Sequence, residues 1–212
     1  LQENENNKVL LNSPVATDII SPENEEAFKR AYERYRIYAM QGELGYLWEA
    51  ANTNDPIAQY ALTQYYRYDI LGKTIEKDDG RIFDRILLEV KKLGKETDYA
   101  IYLNDYLEYE RKEAFGRTPT YGIDKALWNI IELAEKENAC ISAVATAGKY
   151  LTMRLGDEEV RKGFQYLEYA AEQCAPEAMA SYGEYLLKGH KNWVEKNPKR
   201  AECYLKLAAY AQ

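Results

Sequence analysis

Residues 178–189 read AMASYGEYLLKG, and residues 143–154 read AVATAGKYLTMR. Ala143, Gly148 and Tyr150 return as Ala178, Gly183 and Tyr185, each 35 residues later. A second phrase follows each one. Tyr166-Leu167-Glu168-Tyr169-Ala170-Ala171 returns as Tyr204-Leu205-Lys206-Leu207-Ala208-Ala209, 38 residues on after a short insertion. Self-similarity at a period of about 20–50 residues marks an array in which each unit buries its face on the next. The expected fold is therefore all-α, a solenoid of about five antiparallel helical hairpins that presents a surface to a partner.

The pattern is helical almost throughout from about residue 25, and no segment shows the two-residue alternation of a half-buried strand. The helices pair as A then B. A1 is expected at 23–41, started by Ser21-Pro22-Glu23, and B1 at 43–53. Asn54-Asp55-Pro56 caps A2, expected at 55–71 and ended by Gly72. B2 follows at 79–94, A3 at 97–114 and B3 at 123–137 after the loop FGRTPTYG. A4 is expected at 139–155 and B4 at 157–173. Ala175-Pro176-Glu177 opens A5, which ends near Gly189, and Asn197-Pro198-Lys199 opens B5. Gly148 and Gly183 each cost a helix about 1 kcal/mol relative to Ala, which is tolerated where two helices approach closely. The Ala pairs at 50–51, 170–171 and 208–209 suit the same purpose on the B helices.

The 212 residues are 46% hydrophobic and 30% charged, as in a soluble globular or repeat protein. No stretch approaches the roughly 18 apolar residues of a membrane span. A net charge of −7 and a pI of about 5.0 argue against nucleic acid and fit a basic or neutral polypeptide partner. Tyrosine is over-used, at 20 residues against four Phe and three Trp. Its plain use is as a helix–helix spacer; its other use is a binding surface rich in contact area. Three cysteines cannot all pair within one chain. Cys140 and Cys174 fall at the same end of one expected hairpin, where a disulfide is geometrically possible; reduced, buried thiols are the favoured reading. Residues 1–22 form an expected flexible arm ahead of a repeat domain over 23–212. The polar, Asn-rich start reads as a spacer behind a cleaved signal or a lipid anchor, or as a frayed terminus.

The pattern Ala-x-x-x-(Ala/Tyr)-Gly-x-Tyr, a Gly-containing loop, then (Lys/Arg)-(Ala/Gly)-x-x-(Trp/Tyr)-Leu-x-x-Ala-Ala resembles the Sel-one-like repeats, a branch of the tetratricopeptide-type solenoids. Lys162-Gly163-Phe164-Gln165-Tyr166-Leu167 and Arg200-Ala201-Glu202-Cys203-Tyr204-Leu205 match best. Ala58-Gln59-Tyr60-Ala61-Leu62 and Asp124-Lys125-Ala126-Leu127-Trp128 match in part, and Glu172-Gln173 follows the family's ending. The likeness covers about residues 43–212. It weakens in the middle, where Thr63 and Asp105 replace the A-helix glycine. The resemblance implies a right-handed superhelix with A helices on its concave face, acting as an adaptor. Many such proteins are bacterial and exported, some of them immunity or virulence-associated proteins. That implies a periplasmic or envelope-associated binder of another protein, with a secreted toxin as one candidate. A cytoplasmic scaffold that binds a peptide segment is the alternative.

Little in the chain suggests chemistry. His190 is the single histidine, and a lone loop histidine is normally just solvated; it has no partner at metal-ligand spacing. Glu108, Glu110 and Glu113 interleave with Arg111 and Lys112, as on a solvated helix face. Gly72-Lys73-Thr74 lacks the rest of a phosphate loop, and Asp78-Asp79-Gly80 lacks later calcium ligands. Catalytic residues, metal and cofactor are all expected to be absent. What remains is the groove that the resemblance predicts: Tyr60, Gln64, Arg67 and Tyr68 in A2, and Tyr102, Tyr106 and Tyr109 in A3. In A4 and A5 it adds Ala145, Lys149, Thr152, Ala180, Glu184 and Lys188. Tyr102, Tyr106 and Tyr109 form one helical stripe, either core packing or an aromatic binding strip. Ile101, Leu103 and Leu107 are available as the buried face that would leave the strip open.

Overall fold

A computed structural model of the chain describes residues 20–77, 88–92, 96–114 and 125–211, with side chains through residue 67 in the first segment and residue 112 in the third. Most of the arm, most of B2 and the loop before B3 lie outside the described residues. Nine helices carry the described fold: α1 Glu25–Gln41, α2 Leu44–Asn52, α3 Pro56–Lys77, α4 Asp98–Ala114 and α5 Lys125–Ala134. Then come α6 Ile141–Leu151, α7 Asp157–Glu172, α8 Pro176–Lys188 and α9 Pro198–Tyr210. A helical segment occupies 88–92, and among the described residues the one extended pairing is an isolated bridge between His190 and Val194.

Polar caps start the helices where a side chain can satisfy the orphan amides. Asp55 Oδ1 accepts from the amides of Ile57 (2.9 Å) and Ala58 (3.1 Å), and Asn197 accepts from the Arg200 amide. Asn24, not Ser21, caps α1: its side chain accepts from the Ala27 amide, while Ser21 through Asn24 form a turn. Pro22 is buried and accepts a bond from Cys203 Sγ, so the packed body begins before residue 23. Gly42 closes α1 at φ 73°, the left-handed conformation glycine adopts freely. Gly72, by contrast, does not end α3, which runs to Lys77.

Every helix packs on its neighbour in the chain, and α3, α4, α6 and α8 form an inner layer. Three contacts leave the neighbour-only pattern of a simple repeat array: α3 meets both α6 and α8, and α1 meets α9. Lys206 Nζ pairs with Glu25 at 2.9 Å, the Tyr210 hydroxyl donates to Glu33, and Tyr32 meets the Tyr210 ring edge-on at 5.8 Å. Phe28 of α1 and Ile57 of α3 thereby join the core of α6 to α9, while α2 to α5 close around a second core containing Trp48, Tyr66, Tyr99 and Tyr102.

The recurring glycines mark close approaches. A methyl group on Gly148 would sit 2.9 Å from the Leu167 amide nitrogen, and one on Gly183 would meet Leu205 at the same distance. Gly163 is tighter still, with the Thr152 nitrogen at 2.6 Å. In the middle of the chain Thr63 and Asp105 hold the same register position, and both are buried. Gln59 binds the two regions together. Its amide donates to Ala51 O and Asn54 Oδ1, and its oxygen accepts from the Ser142 amide at 3.0 Å and Cys140 Sγ.

Candidate partner-binding groove

The inner layer leaves a groove of about 410 Å³ whose walls come from α3, α4, α6 and α8. Tyr60 and Gln64 of α3, Tyr102, Tyr106 and Tyr109 of α4, and Ala145 and Lys149 of α6 all face it. Within each helix the second and sixth residues after Ala58, Ala100 and Ala143 point the same way, so one register position repeated three times makes one wall. Arg67 stands beside it, its Nε 3.0 Å from Glu110, which also lines the groove. The Tyr68 side chain lies outside the described residues. Glu184 and Lys188 are exposed on α8, pair with each other at 3.7 Å, and do not line the groove. Thr152 bonds back to Lys149 O, and Ala180 packs against the core; neither lines it.

The tyrosine stripe divides along its length. Tyr102 is buried, its hydroxyl 3.1 Å from Thr146 Oγ1, and it stacks on Tyr106 with ring centroids 5.6 Å apart. Tyr106 and Tyr109 are only half-buried. Burial raises the Tyr102 and Tyr106 phenols above their ordinary range, with the Glu110 carboxylate adding to the effect at Tyr106. Leu103 and Leu107 form the buried face as expected, but Ile101 is exposed and Tyr102 takes its place in the core.

Sequence reasoning missed Thr63, Leu127 of α5, Thr146, Tyr150, Met153 and Glu177 among the lining residues, and read Glu110 as part of a solvated face. Glu177 is the most consequential. It occupies the second position of α8, behind Pro176, and reaches the groove because α8 packs on α3 and α6. Its Oε2 is buried without a hydrogen-bond partner, and so is the Ser142 hydroxyl. Burial pushes the Glu177 carboxyl up to about 7, against the smaller pull of its own amide, of Ser142 and of the Lys149 charge. A signal did exist: the residue before the repeated alanine is Ile57, Tyr99 and Ser142 in the other units, all buried, and an acid in that register is out of place.

The disulfide allowed between Cys140 and Cys174 is not formed; all three thiols are free, and Cys140 and Cys174 are the reduced, buried thiols favoured from the sequence. Cys140 caps α6 and points at Gln59 in one core, while Cys174 belongs to the other, at φ 64°. Burial pushes both thiols up to about 12, which leaves them as inert thiols at neutral pH. His190 is not solvated as expected. It is half-buried against Phe164 and Tyr185, with centroids 4.9 and 5.8 Å away, and stands apart from the groove. No helix among the described residues is long and apolar enough to cross a membrane. No protein-family model, curated protein or solved structure matches the chain.

Proposed function

We propose that the chain is a non-catalytic helical-repeat module that holds a segment of a partner protein in the groove between α3, α4, α6 and α8. The observation that carries this reading is the convergence of equivalent register positions from three helices on one cavity: Tyr60 and Gln64, Tyr102 and Tyr106, Ala145 and Lys149. At about 410 Å³ the groove is in the range of sites that enclose a ligand group, and half-buried tyrosines supply contact area at low entropic cost. The fold proposed with this function is a right-handed Sel-one-like solenoid of five hairpins. Neighbour-on-neighbour packing and the close approaches at Gly148 and Gly183 support it.

The test is parallel affinity capture from the source cells with the native chain and with Tyr109→Ala and Gln64→Arg. A stoichiometric partner held by the native chain and lost about tenfold or more with folded variants supports the groove reading. A partner that binds all three equally places the interface elsewhere. An exported or envelope-associated setting, with a secreted toxin as partner, is the version the family resemblance favours. A signal or lipid-attachment segment encoded ahead of Leu1, and loss of toxin neutralisation in the groove variants, would bear it out.

A further inference from the structure

We infer that the groove is built for a basic side chain, the ammonium or guanidinium of a Lys or Arg carried by the partner segment, with the Glu177 carboxylate as its counter-charge and the tyrosines of α3 and α4 as its walls. The inference rests on the groove reading above and names what that groove selects.

A buried carboxyl oxygen without a donor is costly to maintain, and an incoming donor relieves that cost. The side chains around Glu177 offer it little. Thr146 is engaged with Tyr102, and the Ser142 hydroxyl, though near enough to pull the carboxyl down, makes no hydrogen bond to Oε2. Arg67, the cation on α3, is engaged with Glu110. Lys149 is exposed on α6 and makes no hydrogen bond to Glu177 Oε2. An incoming ammonium or guanidinium supplies N–H donors to that oxygen, and Tyr60, Tyr106 and Tyr109 line the groove with the aromatic surface a cation favours. An acidic group would meet Glu177 and Glu110 and is disfavoured. The chain's net charge of −7 steers a basic segment toward it and an acidic one away.

Protonation decides the strength. The carboxyl titrates near 7 in the empty groove, so a cation binds best above that pH and meets a neutral acid below it. The groups facing Glu177 do not reverse this. On α4 the Tyr99, Tyr102 and Tyr106 phenols stay protonated because burial raises them, and Glu110 remains tied to Arg67 of α3. At the start of α6 the Cys140 thiol is raised to about 12, and Lys149 contributes a positive charge that opposes the incoming one.

The test pans a phage-displayed random peptide library on the purified full chain and titrates the enriched sequences as soluble peptides. Binders are expected to share a Lys or Arg whose replacement by norleucine or citrulline weakens binding about tenfold. Glu177→Gln is expected to weaken them about tenfold and abolish a weakening otherwise seen between about pH 8 and about pH 5.5. Lys149→Met is expected to tighten them. Binders that need no basic residue, or that bind native and Glu177→Gln chains equally while losing affinity with Tyr109→Ala, overturn the basic-side-chain inference and leave groove binding standing. Binders indifferent to all three substitutions, or no enrichment at all, overturn both.

Discussion

The last two hairpins and the middle of the chain solve one packing problem in opposite ways. Between α6 and α7, and between α8 and α9, glycines at repeated positions let the helices come within van der Waals contact, and small and aliphatic side chains fill most of the core, with Phe164, Tyr182 and Tyr204 among them. Between α3 and α4 the same register holds Thr63 and Asp105, and tyrosines fill the wider space. Each tyrosine brings a hydroxyl that must be satisfied. Tyr99 bonds Thr63 and Gln59 O, Tyr102 bonds Thr146, and Tyr66 bonds Glu89. The glycine contacts themselves admit nothing, and the cavity on that half, beside Trp193 and Arg200, has no glycine in its lining, whereas the tyrosine-spaced region opens into the groove between the inner helices. Loss of the repeat's glycine accompanies the opening of that groove.

The comparison breaks most sharply at Gly163. A helix gains about 1 kcal/mol when Gly becomes Ala, but here the added carbon lies 2.6 Å from the Thr152 nitrogen, and backbone cannot swing aside. Gly163→Val is expected to cost about 4 kcal/mol in a denaturant titration through overpacking. A loss under about 1 kcal/mol would mean that α6 and α7 are not rigidly apposed. Glu177 comes next. Its carboxyl titrates at about 7 against an ordinary 4.5, so the folded state keeps a proton that the unfolded chain has released, and stability falls as pH rises between those values. Glu177→Gln is expected to match the native chain below about pH 4.5 and exceed it by up to about 3 kcal/mol above pH 7. Parallel stability–pH curves for the two proteins would refute the buried charge.

Tyr99→Phe tests the middle core, since it strips the hydroxyl shared by Thr63 and Gln59 O. A loss of about 1–2 kcal/mol is expected in thermal unfolding. Tyr204→Phe in the glycine-packed region, where the hydroxyl only accepts from Arg200, should cost less. Smallest is Glu25→Gln at the α1–α9 contact. Hydrogen bonds from Lys206 and Lys29 hold the Glu25 carboxyl down at about 2, so its contribution is present above the ordinary carboxylate range and fades as pH falls toward 2. On this exposed pair the expected result is faster amide exchange in α1 with an unchanged unfolding midpoint.

Helix positions were legible from glycine and proline because those residues act locally, through conformation and missing donors. Gly72 misled because a helix packed on its neighbours tolerates a glycine that an isolated one would not. The groove was legible as far as register allows: periodicity says which side chains share a face, and Tyr60, Tyr106 and Lys149 follow from it. It does not say which part of a face another helix covers, so Tyr102 and Ile101 exchanged their expected places. Glu177 was read as a helix-start residue because its neighbours Ala175 and Pro176 satisfy that role completely. Its burial arises from α8 meeting α3, a contact more than a hundred positions apart that no repeat period encodes.

The seam between α1 and α9 joins residues 177 to 181 apart in the chain, through Glu33–Tyr210, Glu25–Lys206 and Pro22–Cys203. Each helix crossing between them carries its own angular error, and a linear stack lets such errors accumulate freely toward its far end. Here they must sum to closure, since α9 meets α1 only when every intermediate crossing is right. The seam is thus a tolerance gauge for the whole chain, and a ring contact such as Tyr32–Tyr210 would register a misplaced hairpin anywhere between its two ends.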